Sequence, residues 1–233
     1  MRIDIWSDIV CPFCYVGKRN LELALADFEH RDEVEVVWHS FELDPSATEY
    51  PAGSLPEMIA SKYQMPLEQA IASQESLAER AREVGLDFNW RQARYGNTFD
   101  AHRVIQYAAE QGLASAAEEA FKKAYFTQGR SVQDHESILD IASEIGLDTA
   151  EVEAVLKSDR YAEHVRADEQ LARQLGINGV PFFLIESKWA VSGAQPAEAL
   201  RQVWEQTHQV ELLNPLAGAS EAGPSCDMNG NCS

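Results

Sequence analysis

The first apolar pattern in the chain has a period of two. In "RIDIWSD", Ile3 and Ile5 alternate with Arg2, Asp4 and Trp6, as in a half-buried strand. The period then lengthens: "YVGKRNLELALADFEH" spaces Leu21, Leu25 and Phe28 at intervals of four and three, one face of an amphipathic helix. "VEVVWHSFEL", Val34 to Leu43, returns to β-rich composition and predicts a second strand. Strand, long helix and strand make a βαβ unit, whose usual consequence is parallel pairing.

After "DPSATEYPAGSLPE", which has the Pro, Gly and Ser density of a loop, helical spacing dominates from about Leu55 to Leu175. The clearest segments are "EQAIASQESLAERAREVG", "FDAHRVIQYAAEQG", "AEEAFKKAYFTQG", "HESILDIASEIG" and "EVEAVLKSD"; the first four end at a glycine suited to close a helix. No fixed period with matching side chains links them, which argues against an α-solenoid. Strand character resumes at "GVPFFLIES", and "WAVSG" after Lys188 completes a hairpin. "AQPAEALRQVWEQTHQV" is a last helix with Pro196 near its first turn. "PLAGASEAGPSCDMNGNCS" has the composition of a flexible tail.

The order β, α, β, helical block, β, β, α predicts one α/β domain carrying a large all-helical insertion, because the outer parts hold complementary strands. The expected division is residues 1–45 and 176–208 for the two parts of the α/β domain, 46–175 for the inserted helical domain, and 209–233 for the tail.

Composition narrows the function. With 38 acidic against 19 basic side chains and a formal net charge of −19, the field around the chain repels a phosphate-rich partner, so nucleic-acid binding is not expected. No apolar run is long enough to span a membrane, and "MRIDIWSD" lacks the zones of a secretory signal. The expectation is a cytoplasmic chain without a membrane partner.

The four cysteines are Cys11, Cys14, Cys226 and Cys232, one close pair near each end. A disulfide framework spreads its cysteines through a fold, so this distribution points to local chemistry. In "CPFC" the i, i+3 spacing puts two sulfurs on one helix face within bonding reach, and Pro12 suits the first turn. Orphan amides and the positive helix end favour a thiolate at Cys11. Cys11 is therefore expected to be an exposed, low-pKa nucleophile and Cys14 the deeper resolving thiol. The same spacing also forms half of a zinc site. In "INGVPFF", Pro181 fits a strand start or a tight turn, with a cis peptide after Val180 as one option and an ordinary edge proline as the other. His39 on the second strand is read as a packed residue rather than a proton carrier.

"CPFC" after the first strand, a long helical insertion and then "GVPFF" resemble the thioredoxin superfamily in its DsbA-like branch. "SDIVCPFCYVGK", "NTFDAHR" (Asn97 to Arg103) and "GINGVPFF" together resemble the FrnE-type proteins, relatives of 2-hydroxychromene-2-carboxylate isomerases and kappa-class glutathione transferases. The resemblance covers about residues 1–208 and implies a thioredoxin fold with an inserted helical domain. It also implies a cis-Pro181 that, with Val180, holds extended peptide or glutathione beside the dithiol, and a substrate-side role for "NTFDAHR" with His102 and Arg103 facing a cleft. The alternative for that motif is a helix start with a partly buried His102. DsbA proteins commonly carry histidine before the second cysteine; Phe13 stands there in this chain and predicts a less oxidising site, since potential rises with stabilisation of the reduced thiolate.

"CDMNGNC" can close a small turn between Cys226 and Cys232. A flexible connection from about Gln209 would span ~23 Å root-mean-square, enough to visit the first pair, so the tail is a candidate auxiliary dithiol that shuttles electrons; incidental thiols are the alternative. The function that follows is a thiol–disulfide oxidoreductase, an isomerase or oxidase of protein disulfides. It requires no cofactor beyond its redox-active disulfide, and its partners are protein disulfides and thiols with glutathione or a thioredoxin-type reductant. Two other readings are a glutathione-dependent isomerase or transferase of a small aromatic substrate, and a metal-binding thiolate module. The intact cysteine pair argues against the first, and the second requires the tail to fold back onto Cys11 and Cys14.

Overall fold

In the computed structural model, which describes residues 1–47, 53–210 and 226–227, the alternating N-terminal run forms β1 (Arg2–Ser7). It is covered on both faces rather than one, with Asp4 only 6% and Trp6 1% exposed. Its place explains this: β1 is an inner strand of a four-stranded sheet of order β2-β1-β4-β5. β2 (Glu35–Ser40) runs parallel to it, with Ile3 opposite Val36 and Trp6 opposite His39. β4 (Phe182–Ile185) and β5 (Trp189–Ser192) follow as antiparallel neighbours, with Ile5 opposite Phe183. The predicted second strand stops short at Ser40, where Phe41 N donates to Ser7 O at 3.2 Å and Leu43 N to Asp8 Oδ2 at 2.7 Å. Those two bonds turn the chain across the end of β1.

The crossover between β1 and β2 is α1 (Pro12–Ala26), which packs beside the last helix, α9 (Ala197–Val210). Asn20 Nδ2 on α1 donates to Gln195 O just before α9, at 2.8 Å. The other face of the sheet meets α8 (Ala162–Gln174) from Asp168 onward. Trp6 Nε1 donates to Asp168 O at 3.2 Å, and the His39 ring bridges Asp4 Oδ1 (2.8 Å) and Asp168 Oδ1 (2.6 Å) while stacked on Trp6 with centroids 4.4 Å apart. His39 is thus packed, as the sequence predicts.

By contacts the chain divides into Met1–Leu43 with Asp168–Ser233, and Asp44–Ala167. The second boundary falls inside α8 rather than after it. The helical unit comprises α2 (Leu55–Lys62), α3 (Leu67–Glu83), α4 (Phe99–Glu110), α5 (Ala114–Phe126), α6 (His135–Glu144), α7 (Thr149–Leu156) and the first turns of α8. Phe121, Ile138, Ile141, Val152 and Val155 are fully buried there. Asp134 and Asp148 cap α6 and α7 by accepting from Ser137 N and Ala150 N. Gly85 and Gly146 adopt positive φ, and the following Leu86 and Leu147 donate back to Ala81 O and Ala142 O, which closes α3 and α6 as their sequences predict.

The run "GVPFFLIES" is not one strand. A cis peptide between Val180 and Pro181 separates a two-residue β3 (Gly179–Val180) from β4. β3 pairs antiparallel with β6 (Cys226–Asp227), so the tail, predicted to be without regular structure, contributes a strand. Residues 211–225 and 228–233, on which the rest of the flexible-tail expectation falls, lie outside the described residues.

Candidate active site

The first cysteine is the N-cap of α1 and Pro12 its first helical residue. Cys11 has extended backbone angles (φ −85°, ψ 115°), and its carbonyl accepts from Cys14 N at 3.1 Å and Tyr15 N at 3.3 Å. Cys11 N in turn donates to Asp8 O at 3.4 Å, which ties the cap to the end of β1. Cys11 and Cys14 are both thiols, not joined in a disulfide. Across from them the Cys11 thiol donates to Val180 O at 3.6 Å, next to the cis peptide.

This arrangement departs from the expected electrostatics. Cys11 is 0% exposed and Cys14 1%, so neither is the exposed member of the pair. Burial pushes the Cys11 thiol well above its ordinary range; the neighbouring Cys14 thiol and the charge of Asp8 push the same way, against a smaller opposing pull from Cys14 N. The helix N-terminus is present, but loss of water around a thiolate outweighs what its amides return. Asp8 itself is buried, with Oδ2 accepting from Leu43 N.

The close approach of helix and loop depends on Gly17. A Cβ built there would lie 2.8 Å from Pro181 Cγ and 3.5 Å from Phe183 Cζ, so this turn of α1 rests directly on the cis-proline. The sequence singles out neither Gly17 nor Asp8. For Gly17 the only signal was a glycine inside a helical run, which costs about 1 kcal/mol against alanine and therefore asks for a packing reason.

Of the predicted site residues, the structure brings together Cys11, Cys14, Val180 and Pro181. Phe13, in the first turn of α1, is 6% exposed. His102 belongs to α4 of the helical unit and has no exposed surface, where the resemblance implies a ring facing a cleft. Arg103 does not face a cleft: it is 4% exposed, donates to Arg160 O at 2.9 Å and to Val155 O and Ser158 O, and pairs with Asp100 at 2.7 Å. A cation on the last carbonyls of α7 is a C-terminal cap, and Asp100, which also meets His135 Nε2 at 2.8 Å, orients it. Cys226 is opposite Val180 in the β3–β6 register, whereas Cys232 lies outside the described residues. Among the described residues, no group of three or more His, Cys, Asp or Glu is placed to hold a metal, and no helix is long and apolar enough to cross a membrane.

Comparison with known proteins agrees with this geometry. The family model of the DSBA-like thioredoxin domain matches residues 2–205. A solved structure of a probable DsbA oxidoreductase from Streptomyces coelicolor is 43% identical, covers 100% of this chain and 98% of its own, and superposes with a TM-score of 0.86. The uncharacterized protein YwbO of Bacillus subtilis is 29% identical over 79% of this chain and 86% of its own. The cytosolic disulfide reductase DsbM of Pseudomonas aeruginosa, 16% identical over 90% of this chain and 100% of its own, shares the fold with a TM-score of 0.63. The matched span runs from β1 through the dithiol and the cis-proline loop into α9, and the chain belongs to the DsbA-like thioredoxin-domain family of thiol–disulfide oxidoreductases.

Proposed function

We propose that this chain exchanges disulfides with protein substrates, Cys11 attacking and Cys14 resolving. The observation that carries the reading is the Cys11 thiol 3.6 Å from Val180 O, with Cys14 one helical turn behind it. Once deprotonated, Cys11 attacks one sulfur of a substrate disulfide; that bond breaks, a Cys11–substrate disulfide forms, and the second substrate sulfur leaves as thiolate. If the Cys14 thiolate then attacks Cys11, the substrate leaves as a dithiol and the protein keeps a Cys11–Cys14 disulfide, two electrons having passed to the substrate. If a substrate thiol attacks instead, the substrate disulfide is rearranged without net electron transfer.

A buried, weakly acidic Cys11 and an apolar Phe13 both favour the oxidised pair over the reduced one. That supports reduction and isomerisation over oxidation, and suits a cytoplasmic role. Glutathione or a thioredoxin-type dithiol would return the pair to thiols; a DsbM structure with glutathione supports the former. The motif set around Cys11, Asn97 and Pro181 supports a FrnE-type reading of the chain. A Cys226–Cys232 dithiol would pass two electrons to the Cys11–Cys14 disulfide left by substrate reduction and itself become the disulfide, and Cys226→Ser with Cys232→Ser should slow at least one turnover rate.

Trapping tests the central step. Cys14→Ser should accumulate a mixed disulfide between Cys11 and a protein substrate, recoverable by thiol-free electrophoresis, and Cys11→Ser should accumulate none. Equal trapping by both variants would remove the assigned order of attack.

A further inference from the structure

Among the described residues β3, two residues long, forms a two-stranded sheet with β6, with Gly179 opposite Asp227 and Val180 opposite Cys226. This edge abuts the cis peptide, and its Val180 carbonyl is the one that meets the Cys11 thiol. A strand edge beside a reactive thiol, once its own partner leaves it, offers backbone hydrogen bonds to an extended peptide. The residue that the chain itself sets opposite Val180 is a cysteine, the residue type a disulfide substrate must present there.

We propose that the Gly179–Val180 edge is a docking site for this chain's own C-terminal segment, whose Cys226–Asp227 strand occupies the place of a substrate peptide and must be displaced by one. The inference rests on the reading of this edge as the peptide site, and concerns backbone pairing rather than sulfur chemistry. A two-residue strand pair is weak by itself. Covalent attachment within the same chain changes that, because a tethered segment is present at an effective concentration on the order of 1 mM. A segment binding with millimolar strength is then docked about half the time, enough to compete and weak enough to yield. The tail therefore raises the apparent KM for peptides by about two-fold or more and leaves kcat to the cysteines.

Two full-length double variants isolate the strand. Cys226→Ala with Asp227→Ala keeps both backbone amide hydrogens; Cys226→Pro with Asp227→Pro removes both. Both lack Cys226, so any contribution of its sulfur is the same in each. Amide hydrogen exchange is measured across the tail and across Gly179–Val180, with and without excess of a peptide carrying one disulfide, and KM and kcat are measured for reduction of that peptide. We expect exchange within residues 226–227 to be slowed about two-fold in the alanine variant, as half-time docking gives, and the slowing to be released by the peptide. We also expect lost protection at Gly179–Val180 in the proline variant, with a KM at least about two-fold lower and an equal kcat. Unprotected tail amides in the alanine variant, protection that peptide does not release, or equal KM values would each overturn the proposal. Absence of turnover in the wild-type chain would instead overturn the oxidoreductase reading, and exchange with and without peptide would still decide the docking.

Discussion

At residue scale, the chemistry turns on how tightly Cys11 is enclosed. The sequence shows a cysteine at a helix N-terminus, where amides and the helix dipole favour a thiolate; it does not show that the thiol faces Val180 O with no exposed surface. Burial pushes the Cys11 thiol well above its ordinary range, so Cys11 should be protonated at neutral pH and its thiolate absorbance should grow only on the alkaline side of that range. A titration complete below pH 7 would contradict this. Gly17 was equally illegible, because its reason is a partner far along the chain. Gly17→Ala sets a Cβ against Pro181 Cγ at 2.8 Å; overpacking costs about 1–3 kcal/mol and better helix propensity returns about 1. Chemical denaturation should show a net loss of about 1 kcal/mol and disulfide turnover should fall, whereas a stabilised, fully active variant would mean that α1 does not depend on this contact.

At element scale, periodicity carried far. β1, α1, β2 and the glycine-closed helices of the insertion follow from apolar spacing and local stop signals, which depend on neighbours in sequence. What escaped depends on distant partners: β1 reads as half-buried because Asp4 looks like a solvent-facing position, yet Asp4 is held by Arg2 and His39 beneath α8. In the same way Arg103 looks like a cleft residue until the carbonyls at the end of α7 are in place. The His39 cluster predicts a pH dependence. Burial alone would lower the His39 pKa, but Asp168 and Asp4 outweigh it and raise the value above 6.5, so the stabilisation is complete below about pH 6.5 and is lost as pH rises through the raised value. The Asp4 carboxyl is held below its usual range by Arg2 and His39 despite burial, and its contribution is lost as pH falls through that lowered value. His39→Gln should flatten the alkaline limb of a melting-temperature profile; an unchanged limb would show that other groups set it.

At the scale of the whole molecule, the chain is an α/β unit interrupted by a helical one, and the interruption was visible as a switch from period two to 3.6 and back. The dithiol and the cis-proline lie on opposite sides of that interruption in sequence, with β1 and β4 paired between them. Sheet pairing therefore assembles the site, which is why two short motifs far apart could be matched while the tail strand β6, with two residues and no periodicity, could not.

The proposed function requires a Cys11–Cys14 couple poised to reduce. Its most direct test is equilibration in a series of glutathione redox buffers, followed by acid quenching, alkylation and peptide mass spectrometry of both cysteines. A Cys11–Cys14 disulfide titrating nearer the roughly −270 mV of thioredoxin than the roughly −120 mV of DsbA is the predicted result. Thiols that persist across the whole series, or a midpoint at the DsbA end, would contradict it.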